Sequence, residues 1–472
     1  MPRSIRLVFL MVVLLLIPGF AWAAPDPAVL GVRYHQSGEG MRIVLDMNAL
    51  PDYTVMETDQ PLRLTVELNG TVSKARVSQL AFTHPHVAGL MLQATGKGLN
   101  AVIDLRQPMG HKVFTLQNPS RLVIDLFPFA EQKVIRQVLP GITYTSRLQG
   151  RPEGPVWTHV LEIEPSAGYA LLPVLSNNKV QGLETVSDMA RSSQAVAAVN
   201  GSFFAANGEI IGLMKLNKEL ISTPGPARTA LGILPDGKLI FDQVIYEGYV
   251  ELPGGVRAAV SGVNRQRGDD ELMIYTPSYH ASTGTNEYGR EYTIENDRVT
   301  AMSSGNSSLP NGAVVISAHG KAVQALSSLK VGDSVRISHS LGDQYDRAVH
   351  VVGGGPMLVR DGSVFLTTKL EEFGTDVAGG RAPRTACGVT KEGRIILAVV
   401  DGRQTYSMGM TLLELALFMQ DMGAVTAMNL DGGGSSVMVI ADNAVNKPSG
   451  GSERKVANAL AVVPARLANS HK

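Results

Sequence analysis

Between Thr411 and Ser436 the chain spells out a helix, a strand and a loop in immediate succession, and few architectures can accommodate all three. Thr411 with Glu414 forms a capping box, and Gly423 stands where a helix closes in left-handed backbone, which predicts a helix between them. The apolar run Ala424 to Met428 is too short for a second helix and reads as a buried strand. It opens into Asn429-Leu-Asp-Gly-Gly-Gly-Ser-Ser436, where polar side chains flank backbone stripped of Cβ atoms, so that a ligand could approach the main chain closely. The same order occurs earlier: a short helix over Thr185 to Ser192, a strand over Ala195 to Val199, then Asn200-Gly-Ser-Phe-Phe204.

Two further repeats organise the chain. Arg228-Thr-Ala-Leu-Gly232 with Gly237 returns as Arg384-Thr-Ala-Cys-Gly388 with Gly393, each reading as an arginine that introduces a β-hairpin. The pair implies either a doubled cationic feature or a duplication in which one copy kept a role. In the N-terminal part, Met41 to Asp46 and Pro61 to Leu68 recur as Leu99 to Asp104 and Pro119 to Leu126, with the alternation of strands around turns. The fold class expected is α+β: an N-terminal β-sandwich module over 25–128, a polar linker over 129–138, and a larger mixed α/β domain over 139–467 with helices packed on β-sheet. The stretch 366–380, acidic and glycine-containing, reads as a mobile loop before Arg384.

Residues 1–24 carry Arg3 and Arg6, an apolar run from Leu7 to Ile17 and Ala21-Trp-Ala23, the pattern of a cleaved secretory signal peptide. Export to the periplasm or cell envelope is therefore expected, with no transmembrane segment after cleavage. The 42 basic residues balance 42 acidic ones, which argues against a nucleic-acid partner. A single cysteine, Cys387, excludes an intrachain disulfide and, set in an apolar run, reads as an inert buried thiol. His84-Pro85-His86 lacks the further ligands of a metal site and reads as a solvated turn.

Dinucleotide loops, P-loops, nucleophile elbows and H-E-x-x-H are all missing. What remains is a set of loops at strand ends, carrying Asn200, Gly201, Arg228, Gly354, Gly355, Arg384, Asp401, Arg403, Asn429, Asp431, Gly433, Gly434, Ser435 and Ser436. Arginine and glycine-rich backbone suit phosphate oxygens, asparagine suits hydroxyls and amides, and Asp431 and Asp401 are the candidate catalytic carboxylates. Plainer readings stand beside these. Asp401-Gly402 also reads as a tight turn, Asn429 and Asp431 as organisers of the glycine loop, and Arg228 and Arg384 as structural ion-pair partners.

Two resemblances attach to these motifs. Residues 25–128 resemble the AMIN domain of periplasmic amidases and secretion components, which implies binding to peptidoglycan or another envelope glycan. From about Val138 to Leu467 the chain resembles the phosphodiester glycosidase domain, the family of the animal N-acetylglucosamine-1-phosphodiester α-N-acetylglucosaminidases. The resemblance rests on Asn200 to Phe204, Arg228-Thr-Ala230, Gly353-Gly-Gly-Pro356, Pro383-Arg-Thr-Ala386, Asp401-Gly-Arg403, Gly409 to Ala416 and Asn429 to Ser436. It implies cleavage between an anomeric carbon and a phosphodiester oxygen. On that reading Arg384 and Arg228 stabilise the leaving phosphate, Asp431 or otherwise Asp401 serves the anomeric carbon, and Asn200 and Asn429 hold sugar groups. The expected substrate is a sugar phosphate in envelope or exopolysaccharide material, with a non-catalytic glycan-binding protein as the alternative. No cofactor is expected, although a divalent ion at Asp401 or Asp431 stays open.

Overall fold

The computed structural model describes residues 26–37, 40–59, 61–107, 109–128, 132–151, 154–404 and 406–470. The expected signal peptide lies outside them. The chain forms two compact units that divide between Pro128 and Phe129.

The first unit holds two five-stranded sheets around one core. The two sequence copies do not fold side by side. Strand Gly40–Met47 of the first copy pairs with Arg121–Pro128 of the second, and Leu62–Asn69 of the first pairs with Gly98–Leu105 of the second. Each sheet thus has one strand of each copy at its centre, and Leu45, Leu64, Ile103 and Ile124 meet between the sheets. The register sets Arg63 opposite Asp104 and Arg121 opposite Asp46, so the repeated arginine and aspartate answer each other across the copies. His84 is buried, and its Nδ1 accepts from the backbone N–H of His86 and Val87 at 3.2 Å, so it organises the turn from inside.

The second unit corrects the expected fold class. It is built of several sheets with few helices, the described residues being 50% strand and 10% helix, and among them no layer of helices covers a sheet as in a mixed α/β domain. An eight-stranded sheet runs Gln132–Leu139, Ile142–Gln149, Val156–Ile163, Ile395–Val400, Arg384–Thr390, Ala424–Asn429, Met357–Arg360, Ser363–Val364. Two five-stranded sheets pack against it through a shared core that includes Leu161, Val199, Leu231, Val352, Leu397, Met428 and Leu460. One has Asn458–Pro464, Ala197–Asn200 and Met438–Ile440 at its centre, the other Met214–Leu216, His350–Gly353 and Arg228–Ile233. Residues 247–340 add a three-stranded and a five-stranded sheet with their own core around Tyr292 and Ile316.

The expectation failed for a physical reason. Strands such as Ile395–Val400 are buried on both faces and so read as the apolar runs of a parallel sheet. Here a second sheet covers one of those faces and the single helix Leu412–Asp421 packs on the other, and the 384–400 and 228–244 segments are antiparallel hairpins that leave no length for a crossover helix. Likewise Gln132–Leu139 is an edge strand paired with Ile142–Gln149, not a linker, and its polar character is that of an exposed edge. The two helices read from the sequence do form. Val186–Ser192 is capped by Thr185, and Leu412–Asp421 carries the Thr411–Glu414 capping box, with Gly423 at φ 83°. Among the described residues no helix is long and apolar enough to cross a membrane.

Glu414 closes that box and also receives Arg381 at 2.7 Å, so the helix start is tied to the loop before Arg384. Replacing Thr411 by alanine removes the cap from the Glu414 N–H. The variant should lose about 1 kcal/mol of stability, read as a lower urea midpoint with unchanged slope.

Candidate active site

The site is assembled where two strands end. Strand Ala424–Asn429 lies beside Arg384–Thr390 with Asn429 opposite Ala386, and Leu430 N–H donates to Thr385 C=O at 2.8 Å. Strand Ala197–Asn200, from the neighbouring sheet, ends against the same loop. Asn200 is fully buried, and its amide joins three segments: Nδ2 donates to Asp431 C=O at 2.6 Å, while Oδ1 accepts from Thr385 Oγ1 at 2.7 Å and Val437 N–H at 3.2 Å. With both ends engaged, Asn200 holds the loop rather than offering an amide to a sugar. Gly201 has no alternative, since a Cβ there would lie 2.0 Å from Asn458 Oδ1.

Asp431 projects from this frame, partly accessible to solvent. Its carboxyl accepts from Gly432 N–H at 2.9 Å, and burial pushes its pKa up to about 6 against the pull of Ser435, Gly432 and Arg454. Ser435 favours the carboxylate, yet its Oγ makes no hydrogen bond among the described residues. Around it lie buried polar atoms without partners: Ser435 Oγ, Ser436 Oγ, Asn429 Oδ1, Ser202 Oγ and Asn458 Nδ2. Buried polar groups are ordinarily satisfied, so such a cluster marks where a polar ligand or water completes the structure.

The glycines then make room for cations. A Cβ on Gly433 would lie 3.3 Å from Arg403 Nη1, and one on Gly434 would lie 2.5 Å from Arg454 Nη2. Both guanidinium groups therefore lie against the bare loop beside Asp431. Both arginines are exposed, and among the described residues neither makes a hydrogen bond or a close ion pair. Arg454 carries no sequence motif; it sits in the polar turn Ser452-Glu-Arg-Lys455 and emerges only from the folding of that turn over Gly434. Asn458 was equally unmarked, and it is brought in by Ser202 of the Asn200–Phe204 motif, whose N–H donates to Asn458 Oδ1 at 2.8 Å.

The remaining expected residues divide. Arg384 is buried and spends three N–H groups on backbone carbonyls, Met410 at 2.9 Å, Val377 at 3.1 Å and Gly380 at 3.1 Å. Burial, and then Arg403, lower its pKa to about 10. It pins the preceding loop, so it is neither an ion-pair partner nor free to clamp a phosphate. Arg228 is only partly buried. Its guanidinium lies 4.1 Å from the Phe373 ring centre with Nε on Glu371 C=O at 3.3 Å, and Phe373 in turn meets Phe203 at 5.7 Å. That aromatic contact joins Arg228 to the loop that starts at Asn200.

Asp401 is buried and fully engaged. It accepts from His159 Nε2 at 3.2 Å, Asn446 Nδ2 at 2.9 Å and Lys447 N–H at 3.1 Å. His159 continues to Tyr144 Oη at 2.8 Å. Asp401 thereby anchors the turn that presents Arg403 at φ 58°, which is its plainer reading. Gly354 and Gly355 serve packing: Cβ atoms there would lie 2.6 Å from Asn429 C=O and 2.2 Å from Glu371 Oε2. Glu371 shows that 366–380 is not a loose loop, since its buried carboxylate accepts from Thr229 N–H at 2.9 Å, Met357 N–H at 3.1 Å and the Thr229 and Thr367 hydroxyls. Cys387 is buried, its pKa raised to about 12. Among the described residues no group of three or more His, Cys, Asp or Glu side chains converges as a metal site.

A raised carboxyl between exposed guanidinium groups, on a bare loop at strand ends, defines a site for a polar anionic ligand. Residues 288–463 match the family model described as phosphodiester glycosidase. Over 116 residues the chain is 33% identical to N-acetylglucosamine-1-phosphodiester alpha-N-acetylglucosaminidase of Mus musculus, covering 23% of this chain and 22% of the mouse protein. The human protein of that name matches at 33% over 112 residues, 21% of each chain. The chain thus spans under a quarter of the length of these curated relatives. Among solved structures, a hypothetical protein from Synechocystis aligns over 93% of this chain and 80% of its own with TM-score 0.66 and 24% identity. A candidate exported protein of Burkholderia pseudomallei aligns over 91% and 97% with TM-score 0.58 and 20% identity. These two share the fold.

A carboxyl whose folded pKa of about 6 exceeds its ordinary 3.8 destabilises the fold once ionised. The penalty is absent below pH 4, grows as pH rises toward 6 and is complete above it, amounting to about 3 kcal/mol at most. Asp431→Asn should therefore unfold at higher urea than the wild type at pH 8, with the difference vanishing at pH 4. Equal midpoints at pH 8 would mean that the Asp431 carboxyl is not desolvated.

Proposed function

We propose that this protein is an exported hydrolase of sugar-1-phosphodiester linkages, of the N-acetylglucosamine-1-phosphate type, in cell-envelope or exopolysaccharide glycans. The observation that carries the reading is the Asp431 carboxyl, with its raised pKa, flanked by the guanidinium groups of Arg403 and Arg454 over a loop without side chains. The resemblance of the N-terminal unit to AMIN domains supports attachment to envelope glycan, and the expected signal peptide supports export.

The chemistry follows from the leaving group. Breaking the bond between C1 and the bridging oxygen sends the electron pair to a phosphate ester and leaves positive charge on the sugar. A phosphate ester is a good leaving group, so little protonation of the departing oxygen is needed. The task left to the protein is to hold negative charge on one side and serve the anomeric carbon on the other. Arg403 and Arg454 accept the charge of the departing phosphate. Asp431, as the carboxylate, acts at the anomeric carbon as nucleophile or as base for water. Arg384, given to the phosphate on sequence grounds, is a positioning residue: it holds the carbonyls of Val377, Gly380 and Met410 beside the Gly432 backbone. The unpartnered atoms of Asn429, Ser435 and Ser436 then meet the sugar hydroxyl or acetamido groups.

The test is release of reducing sugar from a GlcNAc-1-phosphoryl alkyl ester. Wild type should turn it over with kcat/KM rising with pH through about 6, the pKa of Asp431. Asp431→Asn should abolish turnover, and Arg454→Ala should lower kcat/KM by roughly ten- to a hundredfold, the worth of a charged hydrogen bond. Binding of the ester with no release by the wild type would instead make this a non-catalytic glycan-binding protein.

A further inference from the structure

Beyond the Asp431 loop, a cavity of about 540 Å³ lies between residues 205–209 and the 265–286 segment of the added sheets. It falls in the range of about 300–1,000 Å³ usual for small-molecule sites. One wall belongs to the loop that begins at Asn200: Ala205 N–H donates to Glu209 C=O at 2.8 Å and Ile211 N–H to Phe203 C=O at 2.9 Å, so 203–211 is a closed hairpin with Asn207 at its tip.

The cavity's chemistry is legible in which groups are engaged and which are not. The charged groups in its wall, one of each sign, are already hydrogen-bonded. Glu209 accepts from Gln266 N–H at 3.1 Å and Gln181 Nε2 at 3.3 Å, and Arg267 donates to Ser317 Oγ and Asn286 Oδ1, both at 2.8 Å. What faces the cavity without a protein hydrogen bond among the described residues is the Gln266 side-chain amide, Asn207 Nδ2, Ser282 Oγ and the His280 ring. Amides and hydroxyls both give and take hydrogen bonds, as sugar hydroxyls do. Tyr275 and Tyr279, 4.9 Å apart, supply an aromatic floor.

The rim is held in place before any ligand arrives. Thr283 and Thr285 donate to the buried Glu291 at 3.2 Å and 2.7 Å, which fixes the turn that carries Ser282. A prepaid conformation of this kind lowers the entropy cost of binding.

We propose that this cavity is a second carbohydrate subsite, which takes an uncharged, hydroxyl- and acetamido-bearing oligosaccharide continuous with the substrate held at the Asp431 loop. The proposal deepens the reading given above, in that the polymer to which the scissile phosphodiester belongs is held at the Asp431 loop and again at the cavity, whose wall continues from Gly201, the residue that accepts from Asp431 N–H.

The experiment is calorimetric titration of the full chain with the N-acetylglucosamine tetrasaccharide, which carries no phosphodiester and so reports on this cavity whether or not the enzymatic reading holds. Wild type and Asp431→Asn should bind it alike. Gln266→Ala/His280→Ala should weaken binding by roughly tenfold, the loss of two neutral hydrogen bonds. Ser282→Trp, which fills the cavity from its rim, should abolish binding with far-UV circular dichroism unchanged. No binding by the wild type would overturn the proposal, as would equal affinity in the cavity variants or loss of binding confined to Asp431→Asn.

Discussion

The side-chain amide of Asn200 is the constraint on which the second unit turns. It is buried where strands of two sheets and the glycine loop converge, and it holds Asp431 C=O, Thr385 Oγ1 and Val437 N–H at once. Away from water an unmade bond at any of these atoms costs on the order of 1–3 kcal/mol, so the amide specifies one mutual placement of the three segments. That placement aims the Asp431 carboxyl outward while its own backbone is locked, with Asp431 N–H on Gly201 C=O at 3.0 Å.

The duplicated hairpins show what the device does, because the second copy is built differently. Thr229 occupies the place of Thr385, and Gly354 N–H donates to Thr229 C=O as Leu430 N–H does to Thr385 C=O. Yet the hydroxyl of Thr229 meets the buried carboxylate of Glu371 where that of Thr385 meets Asn200. In the first copy a loop folds back and Glu371 seals the strand end beneath Gly355. In the second a neutral amide leaves the strand end open, and the bare loop of Gly432 to Gly434 is exposed to two arginines. Of the duplication's two outcomes, the open end is the one equipped for a ligand.

The site is costly in isolation. It holds a carboxyl at raised pKa, two guanidinium groups without close partners and several buried polar atoms without hydrogen bonds. The surrounding structure is the opposite: Asp401, Glu371 and Arg384 are each ringed by partners. This contrast separates residues that look alike in sequence. Asp401 and Asp431 are both aspartates before a glycine, and Arg384 and Arg403 are both arginines near strand ends. One member of each pair is consumed in holding the frame and the other is left over for a ligand.

Local order was written in the sequence where it rests on contacts within a few residues. The Thr411–Glu414 cap, the Thr185 cap, the two hairpins and the strand leading to Asn429 depend on propensity, turn chemistry and spacing, and all of them form. The sequence by itself also marked the loop from Asn429 to Ser436 as a candidate site, because three glycines between polar residues let a ligand approach the main chain. Only the tertiary structure decided that further sheets cover one face of the buried strands and a single helix the other, because a strand's apolar faces do not state what will lie against them. It also decided that Gln132–Leu139 is an edge strand and that the N-terminal copies exchange strands. For the same reason Arg384 turned inward and Arg454, without any motif, lay over Gly434. A side chain's hydrogen-bond partners come from segments remote in sequence, and whether it is spent or free is known only once those segments have met.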